Sequence, residues 1–266
     1  MPYGGRVAMW VLEREVFSDG DTALAAAALG AGDEVLGWND EWWLDGRWPK
    51  LAGEPVMFHG SLANADRIAR ELPWKPGAFC ATERFACTAW WPAVADRLVA
   101  PTYVVTTVAD LVKQGPPAEF GDHVFVRPDS PLKPFSGRVL RSDQISLSAL
   151  DHGFYYDDEQ LPVVVTPAVE VGAEWRFVVA AGRVVTGSRY TADGRSAGDS
   201  VSPDHAAWLF AADVVAGLDG SDPVFVVDVA EAHGGMRVLE LNPFSGADLY
   251  NCNRQAIVDA VHSLAI

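Results

Sequence analysis

Cysteine is scarce: 266 residues hold three, Cys80, Cys87 and Cys252. That count excludes a disulfide framework, and the spacing offers no paired-cysteine zinc site. Reduced, partly buried thiols are expected, with a redox pair of Cys80 and Cys87 as the sharper alternative. Positive charge is also short. Lys and Arg total 20 against 36 Asp and Glu, a formal charge of −16, and such a field repels DNA, RNA and anionic lipid. No nucleic-acid partner is expected, and an anionic ligand must find Arg, Lys and backbone N–H groups gathered locally. No uninterrupted apolar run reaches the roughly 18 residues of a membrane span. The start, "MPYGGRVAMWVLEREVF", lacks the basic segment, long apolar run and small-residue cleavage site of a secretory signal. The expectation is a soluble, cytoplasmic protein without a membrane partner. Neither a Gly-x-x-x-x-Gly-Lys-Ser/Thr phosphate loop nor a Gly-x-Gly-x-x-Gly dinucleotide signature occurs, which disfavours the two common nucleotide folds. There is no internal repeat and no low-complexity run.

What is present supports a sizeable core, with 49% hydrophobic residues. "RVAMWVLE" predicts a strand and "DTALAAAALGAG" a helix beginning near Asp21 or Thr22, the opening of an α/β layer. "EWWLDGRWPK" places Asp45-Gly46 between tryptophans and predicts a tight hairpin. Trp42, Trp43 and Trp48 are candidates for ligand stacking, against the commoner use of aromatics in cores. "PVMFHGSLANADRIARELPW" predicts strand, turn and helix, with His59 at the strand end as a packed or capped histidine before a ligand or base. "LVAPTYVVTTVADLVKQG" runs from an extended stretch into a helix closed by Gly115. The Pro116-Pro117 pair after it marks a boundary between residues 1–115 and 116–266. Beyond it come mostly strands and one amphipathic helix, "PDHAAWLFAADVVAGLDG", predicting an α+β domain with a largely antiparallel sheet.

Charge interrupts these strands in four places. In "DPVFVVDVAEA" Val224, Val226 and Asp228 alternate onto one face, so a carboxylate stands where another apolar residue is due. In "RVLELNP" Glu240 and Asn242 share one face, and Leu239 and Leu241 the other. With a turn at Ala232-His233-Gly234-Gly235 the two strands form a hairpin that brings Asp228 near Glu240 and Asn242. Two carboxylates and an amide oxygen suit magnesium; Asp228 as a capped strand end with Glu240 paired to an arginine suits the pattern equally. "HVFVRPDSPLKPFSGRV" closes an apolar strand with Arg127 and presents Lys133 on a proline-bearing loop, fork and point charge for a polyphosphate, or Lys133 is simply a solvated loop lysine. In "VEVGAEWRFVVAAGRVVTGSRY" Glu174, Arg176 and Val178 share a face opposite Trp175, Phe177 and Val179. A turn at Ala181-Gly182 brings Arg189 toward the same region.

From about residue 120 onward the ordered set "VFVRPDSPLKPFSG", "EWRFVVAAGRVVTGSRY", "VVDVA" and "LELNPFSGADLY" resembles the ATP-grasp superfamily, in the clade where an arginine replaces a nucleotide-binding lysine. The resemblance implies an ATP-grasp fold, two α+β lobes gripping ATP, preceded by a small α/β domain. It implies magnesium on Asp228, Glu240 and Asn242, and phosphate contacts from Arg127 and Lys133. Adenine would meet the backbone of Thr166, Pro167, Ala168 and Val169, and the ribose Glu170. Arg176 and Arg189 would face the γ-phosphate or an acyl-phosphate. With Arg127 at a lysine position the contact becomes a planar fork.

The activity implied is an ATP-dependent carboxylate–amine ligase that forms an amide through an acyl-phosphate and releases ADP and phosphate. Its substrate would be an amino acid, a peptide or a protein terminus, as in peptide tagging. Attack of a carboxylate on a γ-phosphate brings anions together, so cations must screen the charge, and a closing loop at 128–137 would keep water from the intermediate. A phosphotransferase and a non-catalytic nucleotide-binding regulator are the alternatives.

Overall fold

The computed structural model describes residues 7–17, 21–49, 51, 54–190, 197–218 and 222–265. Three sequence readings reach past these: Arg6 of the first strand, Lys50 after the expected hairpin, and residues 219–220 of the amphipathic helix lie outside the described residues. By internal contacts the chain divides into two units, one of residues 1–81, 173–229 and 240–266, the other of 82–172 and 230–239.

The first unit begins with β1 (Met9–Leu12), α1 (Thr22–Gly30), β2 (Glu34–Gly37), α2 (Glu41–Asp45), β3 (Pro55–His59), α3 (Leu62–Glu71) and β4 (Lys75–Gly77). The strands form a parallel sheet in the order β2-β1-β3-β4. Ser61 caps α3 by accepting from the Asn64 N–H at 3.4 Å. Asp21 precedes α1 without capping it, because its carboxylate is turned to His59. The hairpin expected at Asp45-Gly46 is a helix end instead. Glu41–Asp45 is one short helix, and Gly46 takes the left-handed conformation, φ 66°, that stops it. An Asp-Gly pair serves a hairpin or a helix stop equally; tertiary packing of Trp42 and Trp43 selects the helix.

The second unit contains α4 (Cys87–Trp90), β5 (Val104–Thr107), α5 (Val108–Gln114), β6 (His123–Pro128), β7 (Arg138–Arg141) and β8 (Pro162–Pro167). Thr107 caps α5, accepting from the Asp110 N–H at 3.2 Å. The strands form an antiparallel sheet ordered β5-β8-β6-β7. One face packs Val124, Val126, Val163, Val165 and Leu111 into a core.

The remaining elements are β9 (Glu174–Ala180), β10 (Arg183–Tyr190), β11 (Ala197–Ser200), α6 (Ala206–Ala216), β12 (Val224–Ala232), β13 (Gly235–Pro243) and α7 (Arg254–Ala265). Their sheet runs β11-β10-β9-β12-β13. Both expected hairpin turns form, Ala181-Gly182 at φ 49° and 70° and His233-Gly234 at φ 52° and 74°, the left-handed pair that matches strand twist. Trp10, Leu24, Met57, Val178, Val226, Phe244 and Ile257 share one core, so the beginning and end of the chain fold together. The whole is α+β. Among the described residues no helix is long and apolar enough to cross a membrane.

Candidate functional site

The alternation that raises Asp228, Arg176 and Asn242 onto strand faces brings them together in the first unit. Arg176 Nε donates to Asp228 Oδ1 at 2.8 Å and Nη2 to Oδ2 at 2.7 Å. Asn242 Nδ2 adds a third donor to Oδ2 at 3.2 Å. The pair is buried, with side-chain exposures of 11% for Arg176 and 1% for Asp228. Nη1 of the same guanidinium donates to the Asp248 carbonyl at 2.7 Å. Burial works against the charge of Arg176, but Asp228 outweighs it and holds the guanidinium pKa above its usual value.

Around this pair lie residues that sequence reasoning left out of the site. Register sets Ser188 opposite Arg176 and Tyr190 opposite Glu174, so they share the Arg176 face. Tyr190 donates its hydroxyl to Glu174 Oε2 at 2.8 Å and stacks on Tyr250 at 4.7 Å with planes 8° apart. The Arg176 Cζ lies 5.7 Å from the Tyr190 ring and 5.0 Å from that of Tyr250. Tyr250 holds a left-handed backbone, φ 43°, secured by Arg254, which donates to its carbonyl at 2.7 Å. Burial, then the Asp228 charge, pushes the Tyr190 phenol up. Burial likewise raises Glu174, against the Tyr190 hydrogen bond, with Asp228 and Glu240 adding to the rise. A signal for this exists in the sequence: Thr186, Ser188 and Tyr190 alternate along β10 as a hydroxyl stripe. Thr186 and Ser188 accept the backbone N–H groups of Asn253 and Asn251 at 2.8 and 3.2 Å, fixing the segment that carries Tyr250.

Arg189 is not brought to this cluster. It stands opposite Trp175, on the other face of the sheet and exposed, because one residue's step along a strand reverses the side chain.

The donor chemistry fits a hard divalent cation. Asp228, Glu240 and Asn242 offer only oxygen toward such an ion, and Glu174 adds negative charge to the same neighbourhood. Among the described residues no three His, Cys, Asp or Glu side chains converge on a metal position. A cation here would therefore rest on two carboxylates, the amide oxygen of Asn242 and oxygens from outside the protein.

The second unit carries its own set. Arg127 lies on β6 opposite Val164, 7% exposed. Its face is the one away from the core and continues through Thr166, Phe125 and Val139. A Cβ on Gly137 would meet Phe125 Cζ at 2.5 Å and Arg127 Cβ at 3.3 Å, so the backbone lies directly over this face, and glycine permits it. Lys133 is exposed on the loop between β6 and β7 with a left-handed backbone, φ 47°. Phe135 anchors that loop, buried and stacked on Tyr156 at 5.5 Å, and Arg138 forks onto Asp151. At the other end Asp129 accepts from the Thr88 N–H and hydroxyl at 2.8 and 2.9 Å. The ladder from β8 to β5 ends at Val165, whereas that to β6 continues to Pro167. The stretch Thr166 to Val169 is thus an edge on one side, followed by the exposed Glu170.

The other candidates resolve into structure. His59 is buried, with Nδ1 3.0 Å from Asp21 and Nε2 3.1 Å from the Ala247 carbonyl. Trp42, Trp43 and Trp48 pack against the core of Phe58 and Ile68. All three cysteines are free and buried.

The family described as ATP-grasp domain, R-2-K clade family 2, matches residues 102–260. None of the curated proteins compared with the sequence matches it. Among solved structures, the D-cycloserine synthetase DcsG superposes with a TM-score of 0.63 at 17% identity, covering 97% of this chain and 100% of that one. A RimK domain ATP-grasp protein from Sphaerobacter thermophilus gives 0.63 at 17% identity, covering 96% and 99%. The ATP-grasp ligase PsnB, complexed with precursor peptide PsnA2 and AMPPNP, gives 0.61 at 12% identity, covering 98% of each chain. At these identities the likeness is one of fold.

Proposed function

The chain belongs to family 2 of the R-2-K clade of ATP-grasp domains, and on that premise we propose that it is an ATP-dependent carboxylate–amine ligase. The observation that carries the reading is the buried Arg176–Asp228 pair with Asn242 beside it and the charges of Glu174 and Glu240 close by. A sheet interior holds such a cluster at a cost in desolvation, and a metal–nucleotide site is what gives it a use.

In this reading Asp228, Glu240 and Asn242 hold magnesium, which when bound screens the phosphate charge. Arg127 and Lys133 contact the phosphates of ATP, one as a planar fork and one as a point charge. The backbone of Thr166, Pro167, Ala168 and Val169 meets the adenine edge and Glu170 the ribose. Arg176, with its guanidinium oriented by Tyr190 and Tyr250, stabilises charge on the transferred phosphoryl group. Arg189, on the opposite face, is assigned no part in that step. Attack of a substrate carboxylate on the γ-phosphorus breaks the bond to ADP and forms an acyl-phosphate. Attack of an amine then forms the amide and expels phosphate. The Leu132–Lys133 tip, between anchored loop ends, shields the acyl-phosphate from water.

The substrate class is a small molecule or a peptide. DcsG is a synthetase for a small molecule and PsnB was solved with a precursor peptide, so both classes occur on this fold. The test is a thermal shift with magnesium–ATP on the wild type and on the Glu240→Ala, Asn242→Ala double variant. Ligand binding to the folded state raises the melting temperature; a shift in the wild type that is lost in the variant supports the site. ADP release that needs both a carboxylate and an amine, with a new amide mass, supports ligation. A phosphorylated product without amide overturns it in favour of phosphotransfer.

A further inference from the structure

Asp228 is occupied. Its two oxygens accept from Arg176 Nε, Arg176 Nη2 and Asn242 Nδ2, and the carboxylate is almost wholly shielded from solvent. Asn242 turns an N–H toward it, whereas a metal ligand would turn the amide oxygen. These donors take three of the carboxylate's four lone-pair positions, so a cation gains both oxygens of Asp228 and the amide oxygen of Asn242 only when the guanidinium lets go and the amide rotates. The guanidinium is equally confined, capped by the Asp248 carbonyl and walled by the Tyr190 and Tyr250 rings. Released without a new anion, it would be a buried, uncompensated charge, the most expensive state available to the site.

A divalent cation alone supplies no such anion. A cation bound to a polyphosphate supplies both halves of the exchange: the metal for Asp228, and a pair of phosphoryl oxygens that a guanidinium fork can bind side by side. We propose that Arg176 is a placeholder for the divalent cation, so that the cation binds Asp228 only together with a phosphoryl anion that takes over the guanidinium. This deepens the ligase reading and rests on its metal site. Cation and polyphosphate then favour each other's binding to the same degree, as linkage requires. Arg176 acts first as a positioning residue that keeps Asp228 ordered, and faces the phosphoryl group only when the complex has arrived.

The test uses Mn2+ alone as the probe, with no nucleotide, read as the loss of the free-ion signal in electron paramagnetic resonance. The full-length wild type is compared with Arg176→Met, Arg176→Lys and Arg176→Met, Asp228→Asn. The expected result is Mn2+ binding about tenfold tighter in Arg176→Met than in the wild type, a smaller gain in Arg176→Lys, and no gain in the double variant. Equal or weaker binding in a folded Arg176→Met, judged by far-ultraviolet circular dichroism, overturns the proposal. If Arg176→Met does not fold, Arg176→Lys decides: tighter binding supports the placeholder, and unchanged or weaker binding overturns it. Failure of the ligase reading shows separately, as the absence of a magnesium–ATP thermal shift in the wild type.

Discussion

Two aspartates in the first unit are buried to a similar degree, Asp33 at 4% and Asp228 at 1% exposure, and each binds donors from distant parts of the chain. Asp33 accepts from the Ala8 N–H and the Trp10 indole, both at 3.1 Å, and lies 3.0 Å from His262 Nδ1 of α7. Two of these groups are neutral donors, a backbone N–H and an indole, and with His262 they tie the C-terminal helix to the parallel sheet. Asp228 is met by a guanidinium and an amide, with the further charges of Glu174 and Glu240 close by. Burial and hydrogen bonding are therefore common to a structural aspartate and a candidate site. Density of charge is what separates them: Asp228 binds a guanidinium directly, and the charges of Glu174 and Glu240 act on the same neighbourhood.

The largest effect is expected at Asp228. Asp228→Ala leaves the Arg176 guanidinium buried and uncompensated, and should cost about 3–5 kcal/mol of stability in urea denaturation, with loss of the magnesium–ATP shift. Arg176→Met, Asp228→Leu should recover most of that stability and still show no shift, because an apolar pair replaces a buried ion pair at little cost. Recovery of the shift along with the stability would place the nucleotide elsewhere.

Asp33→Ala should cost about 3 kcal/mol, since two buried donors lose their acceptor, while nucleotide affinity stays unchanged when measured by calorimetry. A large loss of affinity would erase the distinction between the two aspartates.

Glu174 offers a smaller and more specific probe. Folding raises its pKa, so the folded state keeps a proton that the unfolded chain releases. Stability from this group is lost as pH rises from the ordinary glutamate value through the raised folded one. Glu174→Gln removes the titration, and the difference in melting temperature between about pH 4 and about pH 7 should shift in favour of the variant at the higher pH. The smallest effect on stability belongs to Lys133→Ala, within about 0.5 kcal/mol at an exposed position, though nucleotide affinity should fall about tenfold if the ammonium contacts phosphate.

Where a strand period is involved, much of this is legible without the fold. The hairpins at Ala181-Gly182 and His233-Gly234, and the meeting of Asp228 with Asn242, follow from alternation and turn chemistry over a few residues. Local pattern misreads Glu41–Asp45 because Asp45-Gly46 stops a helix as well as it turns a hairpin, and only the packing of Trp42 and Trp43 decides between them. Proximity to one hairpin groups Arg189 with Arg176; the cross-strand register separates them by face. Tyr250 lies sixty residues beyond Tyr190 in sequence, and no local pattern links residues so far apart.

The periodic content of the fold is written in the order of the residues: which strands form, which side chains of each face the same way, and that carboxylates, an amide and an arginine interrupt apolar faces. Those are consequences of backbone geometry, which acts between neighbours. Which of those faces meet is settled in three dimensions. There Arg176 forks onto Asp228, Tyr190 stacks on Tyr250 beside them, and Arg189 stands on the other side of the sheet. Such choices depend on long-range register and on the cost of burying charge, which no short stretch of chain contains.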